Sequence, residues 1–136
     1  MSEDPRGPFI GARFIVEIDG VAGSSAALVT LPESRIVRQG DTETVQYGPL
    51  ILQRGLTANA DWYDCWDAAR HSTEPHRRTV TVLLLDARGE PAWHWVFADS
   101  EPIAYSVSAL DSMTSGPLWE TLELSVHAFE AYARPG

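Results

Sequence analysis

Lysine is absent from this chain; all ten basic residues are arginine, set against nineteen acids for a formal charge of −9. Phosphate binding relies on clustered basic side chains, and a surface of this sign repels a polyanion. The balance argues against direct sequence-specific nucleic-acid binding. Cysteine occurs once, at Cys65, which excludes an internal disulfide and a multi-cysteine metal cage and points to a reducing compartment. No apolar run approaches the roughly 18 residues that a membrane span needs. The opening "MSEDPRGPF" is charged and proline-bearing with no apolar core, so the expectation is cytoplasmic synthesis without a signal peptide. No internal repeat or low-complexity tract is present. What remains is a chain of 136 residues, 44% hydrophobic and 21% charged, enough for one packed core but not for two.

Periodicity organises that chain. Residues 1–8, with Pro5, Gly7 and Pro8 among charges, read as a flexible arm, and residues 9–136 as a single domain. From Ala12 to Asp19, Phe14, Val16 and Ile18 alternate with Arg13, Ile15 and Glu17, and Asp19-Gly20 supplies a hairpin turn. Ala26 to Leu31 fits either a short strand or an irregular crossing. Ser34 to Arg38 and Thr44 to Arg54 read as strands on either side of "QGDTE", with Pro49 implying a sheet edge or a bulge. A helix follows, with Thr57 or Asn59 as cap and Asp61 and Asp64 at its positive end. Trp62, Cys65, Trp66 and Ala69 form its apolar stripe, opposite Asp64, Asp67 and His71, and it stops before Pro75. Arg78 to Asp86 and Ala92 to Ala98, joined by a turn containing Gly89, make a hairpin that carries Trp93, Trp95 and Phe97 on alternate positions. Ile103 to Ser108 is a shorter strand before the loop "ALDSMTSGP". Leu118 to Phe129 reads as one long final strand, with Leu118, Leu122, Leu124 and Val126 on one face and Thr121, Glu123, Ser125 and His127 on the other. About seven strands and one helix make the class mainly β, a sandwich or a barrel.

Chemistry is hard to find in this pattern. Ser24 or Ser25, a histidine and an aspartate could be assembled as a triad on paper, but no G-x-S-x-G elbow selects among them. His71 and His76 fit no zinc spacing. Asp61, Asp64 and Asp67 turn progressively around the helix and read as a solvated face rather than a cation site. Cys65 lies on the apolar stripe, where a thiol behaves as a small hydrophobe. "GVAGSS" lacks the lysine and following helix of a phosphate loop. Five tryptophans could form a glycan- or peptide-binding platform on a monomeric β-sandwich, but four fall on strand or helix faces where packing is their default use. No enzymatic activity, metal or cofactor is expected.

The corner at Arg54-Gly55, where "YGPLILQRGLT" runs into a helix carrying "DWYDCWD", resembles the tail tube proteins shared by contractile phages and contractile injection systems. So does the order of "FIVEIDGV", "LPESRIV", "RRTVTVLLLDARGEPAWHWVFADSEPIAYS" and "ETLELSVHAFE" along nearly the whole chain. One departure is the short acidic "RQGDTETVQ" of residues 38–46, where the family usually carries a longer, glycine-rich and basic loop that reaches towards neighbouring subunits. The resemblance implies a tube-type β-barrel or sandwich with one packed helix, closing into hexameric rings that stack into an inner tube within a contractile sheath. The implied partners are further copies of the chain, the sheath protein, baseplate, spike and tube-end proteins, and cargo in the lumen, all within a phage-tail-like particle. Arg54 and Gly55 would fold the helix back onto the sheet. Trp62, Cys65, Trp66 and Ala69 would pack it there, and Thr121, Glu123 and Ser125 would face the channel.

Overall fold

The computed structural model describes residues 8–10 and 13–133; most of the expected N-terminal arm lies outside them. The described residues form ten strands and one helix. Strand β1 (Phe14–Ile18), β6 (Arg78–Leu85), β7 (Pro91–Ser100) and β10 (Phe129–Ala133) make one antiparallel sheet in the order β1-β6-β7-β10. A second sheet, in the order β2-β5-β9-β8, holds β2 (Leu28–Thr30), β5 (Leu50–Gly55), β8 (Pro102–Val107) and β9 (Trp119–Leu124). Among the described residues, strands β3 (Ser34–Gln39) and β4 (Thr42–Tyr47) pair only with each other. Helix α1 spans Asp61–Arg70. Among the described residues no strand pairing joins the two larger sheets, so of the two architectures expected, the open sandwich is the one found.

The core lies between those sheets. Val16 and Ile18 of β1, Val80 and Val82 of β6 and Phe97 of β7 meet Leu50 and Leu52 of β5 and Leu122 and Leu124 of β9, all buried. These are the alternate positions of their strands, so the period of two delivers each side chain inward. The Asp19-Gly20 turn forms as its residues require: Val21 N–H donates to Ile18 O at 3.0 Å, and Gly20 adopts a φ of +79° that a side chain would oppose. The β6–β7 hairpin likewise closes on Asp86, whose Oδ1 accepts from Arg88 N–H at 2.9 Å and Glu90 N–H at 3.0 Å.

Three expectations are corrected. The strand anticipated over Thr44 to Arg54 is two strands in different sheets. Gly48 N–H donates to Glu33 O, extending the β3–β4 ladder, and Pro49, which has no N–H to donate, marks the crossing into β5. The final strand over Leu118 to Phe129 is also two. After Leu124 the Ser125 N–H bonds Glu101 O at 2.8 Å, Val126 is buried, and the chain crosses to the first sheet as β10. The helix starts at Asp61 with Ala60 as its N-cap and no side chain capping it. Thr57 and Asn59 act earlier, Thr57 Oγ1 accepting from Asn59 N–H at 3.1 Å and Asn59 Oδ1 from Asp61 N–H at 2.8 Å. They shape the approach turn rather than cap the helix.

Candidate functional site

The second sheet presents two contrasting faces, and register identifies the residues on each. Leu28 pairs with Gln53 and Thr30 with Ile51. Gln53 pairs with Thr121 and Ile51 with Glu123. Ser106 pairs with Thr121 and Ala104 with Glu123. These eight residues share the face turned away from the core. The face mixes polar side chains with Leu28, Ile51 and Ala104 and carries little charge. Its one charged side chain is Glu123, which has no ion pair or hydrogen bond among the described residues. Gln53 Nε2 donates to Thr121 Oγ1 at 3.0 Å, which fastens two central strands across this surface. Ser125, just beyond β9, has its hydroxyl occupied by Glu101 N–H at 3.1 Å. Thr121, Glu123 and Ser125 are half-buried, and His127 is exposed.

The opposite face closes on α1 through a buried polar cluster. Arg54 follows Leu50 and Leu52 at the strand period and so points inward. Its Nε donates to Glu120 Oε1 at 2.5 Å, its Nη1 donates to Gly23 O at 2.6 Å, and its guanidinium lies 4.1 Å over the Trp62 ring. Glu120 is 1% exposed, and its second oxygen accepts from the Tyr105 hydroxyl at 2.6 Å. Burial, the hydrogen bond to Glu120 and that group's negative charge push the Tyr105 hydroxyl up to about 12. Tyr63 of α1 meets Tyr105 edge-on at 5.6 Å. Asp61 Oδ2 accepts from Gly23 N–H at 2.9 Å. The backbone approaches so closely here that a Cβ on Gly23 would stand 2.5 Å from Asn59 Nδ2 and 2.6 Å from Asp61 Oδ2. Arg54 Nη2 and Trp62 Nε1 are buried without an acceptor among the described residues.

Trp62 and Cys65 are buried, while Trp66 and Ala69 are half-buried. Trp62 belongs to the same core as Leu52 and Leu122, so α1 lies on the inward side of the second sheet and leaves the Glu123 face uncovered. Burial raises the Cys65 thiol, with the nearby Arg78 guanidinium partly opposing the shift. Gly55 does not itself turn the chain. It stays in register opposite Trp119, and the bend falls in residues 56–60, held by Leu56 N–H to Leu118 O at 2.9 Å. Arg54 joins the helix to the sheet through its side chain instead. Sequence reasoning missed Glu120 and Tyr105. The period that placed Leu122 and Leu124 inward also places Glu120 there, and an acid on an apolar face implies a buried basic partner. Among the described residues no three or more His, Cys, Asp or Glu side chains converge as a metal site.

A family model described as T4-like virus tail tube protein gp19 matches residues 12–130. In solved structures, the fold resembles a chain of the anti-feeding prophage baseplate, with a TM-score of 0.76, 19% identity and coverage of 93% of this chain and 97% of that one. It also resembles a chain of the extended sheath-tube complex of an extracellular contractile injection system, with a TM-score of 0.72, 15% identity and coverage of 96% and 95%. A third resemblance is to Hcp1 of Salmonella typhimurium, with a TM-score of 0.60, 16% identity and coverage of 88% and 85%. Separately, 48 residues are 40% identical to part of an RNA-directed RNA polymerase of Rotavirus B; that stretch is 35% of this chain, which spans 4% of the polymerase.

Proposed function

Because the chain belongs to the T4-like virus tail tube protein family, we propose that it is a structural subunit of the inner tube of a contractile tail or injection system. Copies close into hexameric rings, and the rings stack around a hollow lumen inside a sheath. The observation that carries this reading is the division of labour across the second sheet. One face is the core, sealed at its end by α1, and the other is a mixed surface on which Thr30, Gln53, Ser106, Thr121 and Glu123 stand among Leu28, Ile51 and Ala104, with a single charge. A face of that kind suits the wall of a conduit. Its partners are other copies of itself, the sheath protein, baseplate, spike and tube-end proteins, and the cargo that passes through. The chain works as a conduit wall, without metal or cofactor, in a particle assembled in the cytoplasm.

Open sheet edges give ring closure its physical basis. Strands β2 and β8 end the second sheet and β1 and β10 the first, and each edge offers unpaired backbone groups that a neighbouring copy can satisfy. The lone hairpin β3–β4 matches the region that in tube proteins reaches towards neighbouring subunits. Negative-stain imaging and light scattering of the purified chain test the reading. Rings or tubes are expected, and a protein that stays monomeric at high concentration refutes it.

A further inference from the structure

The buried side-chain nitrogens and oxygens that lack a hydrogen-bond partner among the described residues all lie at the end of the sandwich that α1 closes. Arg54 Nη2 and Trp62 Nε1 stand on the side of the second sheet, and Arg78 Nε and Ser100 Oγ on that of the first. Arg78 pairs with Ser100 across β6 and β7 and hydrogen-bonds the Cys65 thiol of α1. Folded chains rarely bury a polar atom without a partner. Atoms of this kind gathered from both sheets beneath one helix mark a polar seam, not the misplacement of a single side chain.

The pair on the second sheet defines what the seam holds. Trp62 is fully buried, the Arg54 side chain is 12% exposed, and the guanidinium lies 4.1 Å from the centre of the indole ring. The two N–H groups therefore share one small volume. Both side chains only donate, so neither satisfies the other and the partner must be an acceptor. Arg54 Nε and Nη1 are already committed to Glu120 Oε1 and Gly23 O. The two orphan atoms are shielded by the chain itself, which keeps the side chains of a neighbouring copy away from them. Charge decides against an anion. Glu120 and Asp61, whose Oδ2 accepts from Gly23 N–H, already set two carboxylates beside one guanidinium.

We infer that one water molecule is bound between Arg54 Nη2 and Trp62 Nε1 as a constituent of the docked helix. Its two lone pairs accept from the two N–H groups, and its two hydrogens are left for acceptors of the same cluster, such as Gly23 O and the Glu120 carboxylate. Buried waters commonly make about three bonds of this kind. The helix is then held in two different ways by one residue. The Trp62 ring packs in the apolar core, while its N–H reaches the sheet through the water.

The site lies inside one chain, so its test does not depend on ring formation. In a high-resolution crystal structure of the full chain, a solvent peak about 3 Å from both nitrogens is expected. In solution, the Trp62 Nε1 proton should show an NMR cross-relaxation peak at the water frequency. Tyr105→Phe, which removes an exchangeable hydroxyl from the cluster, should leave that peak in place. Ordered density for both side chains with no solvent peak between them overturns the inference. So does loss of the water cross-peak in Tyr105→Phe, which would trace it to the hydroxyl. An anomalous peak at the site in crystals grown with bromide would assign it to a halide and overturn the inference as well.

Discussion

Arg54 and Glu120 stand where the strand period would otherwise place apolar side chains, and together they decide how this end of the sandwich is built. Taking two charges out of water is costly unless geometry and further hydrogen bonds compensate. Here the carboxylate accepts from both Arg54 and Tyr105, and the guanidinium also reaches Gly23 O and stacks on Trp62. The cluster ties β5, β8, β9, α1 and the loop after β1 to one another, a geometric specification that leucines could not supply. Tyr105 makes its state measurable. An unfolded tyrosine ionises near pH 10, whereas the folded hydroxyl is pushed up to about 12. Between these values the native state keeps a proton that the unfolded chain has lost. The contribution is therefore complete below about pH 10 and is lost as the pH rises through about 12. In thermal melts from pH 9 to 12, Tyr105→Phe should decline less steeply than the parent; parallel declines would remove Tyr105 from the linkage. The positions were legible in part. Arg54 follows Leu50 and Leu52 at spacing two, and Glu120 precedes Leu122 and Leu124. Nothing local reveals that they meet, because 66 residues separate them.

At the scale of elements, α1 depends on Trp62. Its indole is fully buried in the shared core, whereas Trp66 lies half-buried against it. Trp62→Ala should cost about 3–5 kcal/mol, the usual range for a buried aromatic, and Trp66→Ala should cost less. Denaturant unfolding of the two variants measures both, and a Trp62→Ala protein as stable as the parent would mean that the helix is held by another face. The apolar stripe, the β6–β7 hairpin and the Asp19-Gly20 turn were readable because each signal is local: a period of 3.6, a period of 2, a glycine at positive φ. The two fused strands were not. In Leu118 to Phe129 the alternation runs unbroken through Ser125, Val126 and His127, so period alone cannot reveal that the chain changes sheets at a sandwich corner. Pro49 did mark a disturbance, but a bulge, an edge and a crossing leave the same trace in sequence. The helix start was misplaced because Thr57 and Asn59 use their oxygens in successive turns ahead of the first helical turn.

For the whole molecule, the distribution of charge matters more than its total. The chain carries nineteen acids against ten arginines, yet the outward face of the second sheet keeps only Glu123 among its eight strand residues. Thr121 and Ser125 have their hydroxyl oxygens engaged as acceptors by Gln53 and Glu101, which fixes their side chains in place. A wall of this composition is hydrated, weakly adhesive and faintly acidic, which suits passage more than capture. In an assembled tube, Thr121, Glu123 and Ser125 should therefore point towards the axis, with one Glu123 carboxylate per subunit around the lumen. Reversing that charge with Glu123→Arg should leave ring formation intact, because the residue has no ion pair among the described residues to lose, while changing the sign of the field along the channel. A reconstruction of the assembled tube decides the matter: Glu123 on the outer surface against the sheath, or buried between neighbouring subunits, would mean that the other sheet lines the channel.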